Sequence, residues 1–292
     1  MFHCRVHCAT WLLLLAAHSP VEAQDQRAAL LRADHMAAQL SVDSGLASAL
    51  HRSLHREGLL LWPGAPVVAG RSDLETFLRL QLVDSLRLTW QALGFELAAD
   101  SSLGATWGVA VSTSLSDARA APRVGRYIAS WKRDSGQWSI AAAVFIAIQE
   151  PGATRSWRGL PLTRSQAGPG SPAAPFIGAD LGFARLAADS GAAIAFRRWA
   201  APEALSFGGG SLLVRGPEAI SRGVAGPERW RWHPVAGGTA RSGDLGWTAG
   251  EATITRPDGT ALHSKYLTIW TREANGTIRF LFDGGNARPP VP

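Results

Sequence analysis

Three aspartates and a tyrosine in the second half of the chain, Asp180, Asp244, Asp283 and Tyr266, are of the types that carry acid–base chemistry. A carboxylate held out of water has its pKa raised toward neutrality and can then act as a general base, with a phenol beside it as hydrogen-bond donor. These four are the candidate catalytic residues. Each also has a plainer reading. Asp180 recurs in the first half as Asp34, so it would tie a helix to its neighbours; Asp244 falls in a Ser-Gly-Asp turn; Asp283 precedes Gly284-Gly285 at a strand end. Other chemistries find less support. His51 and His55 stand four apart on an expected helix, the spacing of a zinc pair, but no third ligand accompanies them and the repeated positions are Arg197 and Ala201. His35 and His263 read as polar partners. With that third ligand missing we expect no metal, and no cofactor either; a G-x-S-x-G elbow, a Walker loop and a complete G-x-G-x-x-G are missing, which gives serine hydrolases and common nucleotide folds no support.

Aromatic residues are the other signal. The chain has 12 Trp but only 2 Tyr. Tyr127/Trp131 and Tyr266/Trp270 are each four apart on expected strands, so each pair projects from one sheet face. Together with Trp232 and Trp247 they are the candidate ligand contacts, if that face is concave. The alternative is that these rings pack under helices as core.

The elements that must position these residues come in two copies. Shifting the chain by 146 residues lays Ala33–Gly70 over Ala179–Gly216 with 15 identities in 38 positions, including Asp34 on Asp180 and Asp43-Ser44-Gly45 on Asp189-Ser190-Gly191. The later halves match at slightly smaller offsets: Leu103-Gly104 on Leu245-Gly246, Thr106 on Thr248, Gly108 on Gly250, Tyr127 on Tyr266 and Trp131 on Trp270. Copies of over a hundred residues mean two similar domains, not a solenoid of short units. Ser102 stands where the second copy has Asp244, and Ala143 where it has Asp283. A retained site therefore belongs to the second copy. We expect a polar cluster of Asp180, Tyr266 and either Asp244 or Asp283 there, with an apolar equivalent in the first.

Within a copy, apolar spacing predicts helices over Gln26–Leu40 and Asp43–His55, the second capped by Asp43 or Ser44. A strand pair around Leu59–Leu61 and Val67–Val68 turns at Pro63-Gly64, and a third helix covers Ser72–Leu82 with Ser72 as cap. Long strands follow at Trp107–Ser112, Arg126–Lys132 and Trp138–Ile148. The second copy repeats them at Leu245–Thr255, Ser264–Thr271 and Thr277–Phe282, with Pro257-Asp258-Gly259 as a hairpin turn. Helices first and strands last predict an α+β fold: two tandem cone-shaped domains, each with three helices packed on a curved antiparallel sheet. The boundaries are 26–150 for the first domain and 176–288 for the second. The Pro-, Gly-, Ser- and Arg-rich stretch 151–175 reads as a linker.

Met1–Ala23 reads as a secretory signal peptide: Arg5, an apolar run Trp11–Ala17, then Val21 and Ala23 before a cleavage site at Gln24. Both cysteines, Cys4 and Cys8, lie inside it, so the mature chain would have no disulfide and no thiol nucleophile. Export to the periplasm or beyond is the expectation. The run is too short for the roughly 20 residues of a membrane span, and none is expected later. At 46% hydrophobic and 18% charged residues, the composition excludes a disordered chain. The net charge of +6 invites a nucleic-acid reading, but 27 of the 29 basic residues are scattered arginines, as in a GC-rich bacterial genome, and nucleic acid is not an expected partner.

Several segments of the second copy resemble a known family. Val214-Arg215-Gly216-Pro217-Glu218-Ala219-Ile220 leads into the third helix, and Gly243-Asp244-Leu245-Gly246-Trp247-Thr248-Ala249-Gly250 into a long strand. Lys265-Tyr266-Leu267-Thr268-Ile269-Trp270 and Phe282-Asp283-Gly284-Gly285-Asn286 mark the last two. This resembles the SnoaL-like, ketosteroid-isomerase-like group of the nuclear-transport-factor-two superfamily, over nearly all of the second copy and more weakly over the first. The resemblance implies the cone fold and, by the family's habit of pairing through sheets, an intramolecular pseudo-dimer of the two domains. It leaves three functions open, because the fold hosts many: binding a small, largely apolar molecule in a cone pocket; isomerase- or polyketide-cyclase-type catalysis by the second-copy carboxylates; or a cell-envelope or carbohydrate module using exposed Trp faces.

Overall fold

Each repeat breaks its first helix at a glycine whose backbone only glycine adopts readily: Gly45 has φ 86° and Gly191 φ 90°. A Cβ at either would meet nothing within 4 Å, so conformation and not space selects the residue. The computed structural model describes residues 20–80, 85–147, 173–207 and 213–289. Most of the expected signal peptide (1–19) and of the linker (151–172) lies outside the described residues.

In the first domain α1 (Pro20–Ser44) and α2 (Leu46–Ser53) form the hairpin. Gly45 itself is the N-cap, with no side-chain cap from the Asp43 or Ser44 expected to serve. β1 (Leu54–Leu61), β2 (Val68–Ala69) and α3 (Gly70–Leu80) follow, then β3 (Leu86–Leu97), β4 (Leu103–Ser114), β5 (Arg123–Asp134) and β6 (Gln137–Ala147). The second domain repeats the series as α4 (Ala174–Ser190), α5 (Ala192–Trp199), β7 (Ala200–Phe207), β8 (Val214–Arg215), α6 (Pro217–Gly223), β9 (Arg229–Thr239), β10 (Leu245–Thr255), β11 (Ala261–Arg272) and β12 (Ile278–Ala287).

The sheets have the same order, β2-β1-β6-β5-β4-β3 and β8-β7-β12-β11-β10-β9. They are mixed and not purely antiparallel as expected, because β1 and β6, like β7 and β12, run parallel. The chain leaves β1 through β2 and α3 to the far edge and returns by three antiparallel steps, which brings β6 back alongside β1 in the same direction. Bulges recur at matching places, Ala92/Gly94 and Ser130/Trp131 in the first sheet, Ala249/Gly250 and Ile269/Trp270 in the second. Such bulges bend strands and give each sheet a concave face. Helices cover that face, and Leu30, Leu50 and Phe77 are buried beneath them in the first domain, as Phe176, Phe183 and Phe196 are in the second.

The two domains pack as a pseudo-dimer through the opposite sheet faces. Trp107 of β4 lies against Phe207 and Phe282, with ring centroids 5.7 and 6.2 Å apart. Gly284 lets the sheets approach so closely that a Cβ there would stand 2.6 Å from the Ile146 side chain. Polar groups seal the seam. The Asn286 amide donates to Leu61 O (2.8 Å) and Phe145 O (2.7 Å), and Gly64 N–H donates to Ala287 O (2.9 Å). Among the described residues no helix is long and apolar enough to cross a membrane.

Candidate functional site

Strand alternation places Tyr266, Thr268 and Trp270 of β11 on the concave face, under α4 and α5. Asp180, in the middle of α4, points down at them. The Tyr266 hydroxyl donates to Asp180 Oδ2 at 2.9 Å, and the Trp270 indole N–H donates to Thr248 Oγ1 at 2.7 Å. Thr248, from β10, also hydrogen-bonds the Asp180 carboxyl. Asp283 reaches the same chamber from β12, where Thr268 donates to its Oδ1 at 2.7 Å. Phe183, Phe196, Trp232, Trp270 and Phe280 complete the lining of a cavity of about 10 Å³, room for about one water molecule. The rings pack edge to face: Phe183 stands 4.9 Å from Phe196 and 5.0 Å from Trp232.

Burial governs the electrostatics. Asp180 is fully enclosed and its pKa is pushed up to about 7 by desolvation, against the lowering effect of Thr248 and Tyr266. Desolvation raises Asp283 to about 6, with Thr268 opposing. Tyr266 is held well above the usual phenol range, first by burial and then by the Asp180 charge. Its hydroxyl is directed at Asp180.

The first domain supplies an internal control. We expected an apolar equivalent there; the structure shows the same quartet. Thr106 donates to Asp34 Oδ1 at 2.8 Å, the Tyr127 hydroxyl to Asp34 Oδ2 at 2.9 Å, and Trp131 N–H to Thr106 at 2.9 Å. Burial raises Asp34 to about 6. A network conserved between the copies fastens the first helix to the sheet. What differs is the next pair: register sets Ala129 beside Ala143 where the second domain has Thr268 beside Asp283. It also sets Phe145 opposite Tyr127, where Gly285 lies opposite Tyr266. The buried Phe145 fills the first cone, its ring 6.2 Å from Tyr127 and 5.7 Å from Trp90.

The remaining candidates fall elsewhere. Asp244 sits in the turn before β10, at the seam: it accepts from Ala99 N–H at 2.9 Å and from the Ser242 hydroxyl, far from the chamber because its turn is packed on the other domain. Trp247 has the opposite parity to Thr248 on β10, so it points to the outer face, into the core that spans both domains. Tyr127 and Trp131 are buried in the filled first cone, which leaves them as core. Of the aromatic candidates, Trp232 and Trp270 line the cavity. Among the described residues no Trp is exposed; Trp230 and Trp232 are half-buried. His51 and His55 do not share a helix face, because α2 ends at Ser53 and His55 is the second residue of β1, 3.5 Å from Asp134. Among the described residues no three His, Cys, Asp or Glu are grouped to hold a metal. Sequence reasoning missed Thr268, Thr248, Phe183, Phe196 and Phe280. The signal for Thr268 was present, since Tyr-x-Thr-x-Trp puts all three side chains on one strand face.

No family model and no curated protein matches the sequence. Solved structures are similar to parts of it. A ketosteroid isomerase-like protein from Erwinia carotovora atroseptica SCRI1043 is 13% identical, over 42% of this chain and 96% of that one, with a TM-score of 0.36. An NTF2-like protein with a cystatin-like fold from Novosphingobium aromaticivorans is 15% identical over 43% of this chain and 83% of its own, TM-score 0.36. An NTF2-like protein from Pseudomonas putida KT2440 is 13% identical over 41% and 87%, TM-score 0.34.

Proposed function

We propose that the second domain binds a small, largely apolar molecule in its cone, with Asp283 hydrogen-bonding the polar group of that molecule, and that the first domain is a structural partner. The observation that carries this reading is the difference between the copies. The shared quartet is explained by the fold, whereas Thr268, Asp283 and Gly285 replace two alanines and a plugging phenylalanine. A carboxyl beside aromatic walls costs several kcal/mol in desolvation unless something offsets it, and Asp283 has one hydroxyl partner. The chamber is far below the few hundred Å³ of an open ligand pocket, so binding requires the rings to move. Trp232 is the mobile candidate: it is half-buried on the edge strand and backed by Trp230 at 4.9 Å.

A second reading, an enzyme of the isomerase or cyclase type, is favoured by one feature. A cavity-facing carboxyl with a pKa of about 6 can take and return a proton near neutral pH. One probe addresses both. 2-Tetralone is a compact apolar ketone with acidic α-hydrogens. Calorimetry should show it binding the wild type and binding Asp283→Ala at least about tenfold more weakly. Equal affinity, or no binding to the wild type, overturns the binding reading. Exchange of its α-hydrogens in heavy water, faster with wild type than with Asp283→Asn, would support catalysis; exchange at the buffer rate leaves a binding protein. Export completes the proposal: mature protein recovered from the source cell should begin at Gln24, and an intact Met1 would contradict it.

A further inference from the structure

The outer face of the second sheet carries charge that the fold does not require. Antiparallel register aligns residues in rows across the strands. One row is His233–Glu251–Lys265–Asn286, and the next is Arg231–Thr253–His263, extended by Arg288 beyond the end of β12. A third is Arg229–Thr255–Ala261. These side chains lie opposite Trp230 and Trp232, on the solvent side at β9, where Arg229, Arg231 and His233 are exposed. Glu251 is the one carboxylate in the three rows, and Arg288 occupies it at 3.1 Å. Lys265 is wholly buried, donates to Ala287 O at 3.1 Å, and has its pKa lowered by that burial, so the arginines carry the charge. In the first domain the rows read Gln91–Val109–Arg126–Ile146, Thr89–Val111–Val124 and Arg87–Thr113. Its edge strand β3 thus has one arginine, Arg87, where β9 has two, Arg229 and Arg231, with His233 next in the row. Protecting a sheet edge from self-pairing therefore does not account for the row on β9.

We infer that β9 is a docking edge for an extended acidic segment of a partner protein, which adds as a strand beside Arg229–His233 and sets carboxylates on alternate residues against Arg229, Arg231 and His233. Two features select this occupant. β9 is the terminal strand of its sheet, so its outer backbone groups can continue the ladder. Side chains on one face of a strand repeat every about 6.8 Å, so Glu-x-Glu-x-Glu matches the Arg-x-Arg-x-His spacing pair for pair. The chain's own segments do not supply it: Glu150 is the only acid in 148–172, and 1–19 has none. Pro234, which lacks a backbone N–H, limits the ladder to the residues before it.

A fluorescein-labelled Thr-Glu-Val-Glu-Val-Glu-Thr peptide, titrated by anisotropy against the full chain, tests this. We expect binding that weakens at about 500 mM salt and falls at least about tenfold in Arg229→Glu/Arg231→Glu. Arg87→Glu, the matching position on β3, should bind as the wild type does. The same peptide N-methylated on alternate residues retains its charge but cannot form the ladder, and should lose affinity. No binding by the wild type, an unaffected double variant, or equal binding of the N-methylated peptide or of polyphosphate would each overturn the proposal; the last two would define a site for charge alone.

Discussion

Asp34 and Asp180 are buried carboxyls and Asp283 a half-buried one, and their stability effect has a definite sign. Each has a folded pKa above the ordinary value of 3.8, about 6 for Asp34 and Asp283 and about 7 for Asp180, with desolvation the largest cause in all three. The neutral form is therefore the one the fold favours. Its stabilising contribution is complete below the unfolded pKa and is lost as pH rises through 6 to 7. Thermal unfolding should therefore occur at a higher temperature at pH 5 than at pH 8. A melting temperature that rises monotonically from pH 5 to 8 would contradict it. Asp34→Asn, which cannot ionise, should flatten part of this dependence. Asp34→Ala leaves the Tyr127 and Thr106 hydroxyls without their acceptor and should cost about 1–3 kcal/mol by urea titration. At this scale the sequence was partly legible. Asp180 and Tyr266 were visible as repeated types, but their repetition meant scaffold. Asp283 was visible because its counterpart is Ala143. That Phe145 plugs one cone and Gly285 leaves the other without that ring depends on cross-strand register, which no local pattern carries.

Among the elements, β3 and β9 escaped sequence reading. Their apolar alternation is interrupted: β9 runs Arg-Trp-Arg-Trp-His-Pro and then continues through Gly237-Gly238, residues that ordinarily end strands. Tertiary pairing with β10 overrides that preference. The bulge at Val235 of β9, opposite Ala249 and Gly250, goes with a close approach at Gly250. A Cβ there would stand 2.4 Å from His233 O and 2.5 Å from the Tyr266 hydroxyl oxygen, so Gly250→Ala must push β9 away from β10 or displace the tyrosine. We expect a loss of about 1–3 kcal/mol together with slower-relaxing, shifted amide signals along β9 in NMR spectra. An alanine variant with wild-type stability would show the bulge to be adaptable. The helices were read well in kind, but α2 begins after the positive-φ Gly45 and ends at Ser53, where Leu54 turns to extended backbone, which dissolves the apparent histidine pair.

At the scale of the whole molecule, the two repeats pack as a pseudo-dimer across an internal seam whose polar lock is asymmetric. Asn286 of the second domain spans β1 and β6 of the first by donating to Leu61 O and Phe145 O, whereas the matching position in the first domain is Ile146. Asn286→Leu would strip two buried carbonyls of their donor. Differential scanning calorimetry should then show a loss of about 2–4 kcal/mol, or two separate transitions in place of one. A single unchanged transition would mean that the apolar contacts of Trp107, Phe207 and Phe282 suffice. The pseudo-symmetry of the seam follows from the repeat and was legible; its asymmetry was not, because Asn286 acts on backbone carbonyls of the other domain.

The most direct measurement is a heteronuclear NMR titration of the full chain with 2-tetralone, following the indole N–H signals of its tryptophans. If the second cone is the binding site, Trp232 and Trp270 shift together while Trp90 and Trp131, their counterparts in the filled first cone, stay in place, and Asp283→Ala abolishes the change. Shifts at Trp90 and Trp131, or a titration that Asp283→Ala leaves intact, would contradict the assignment of the site to the second domain.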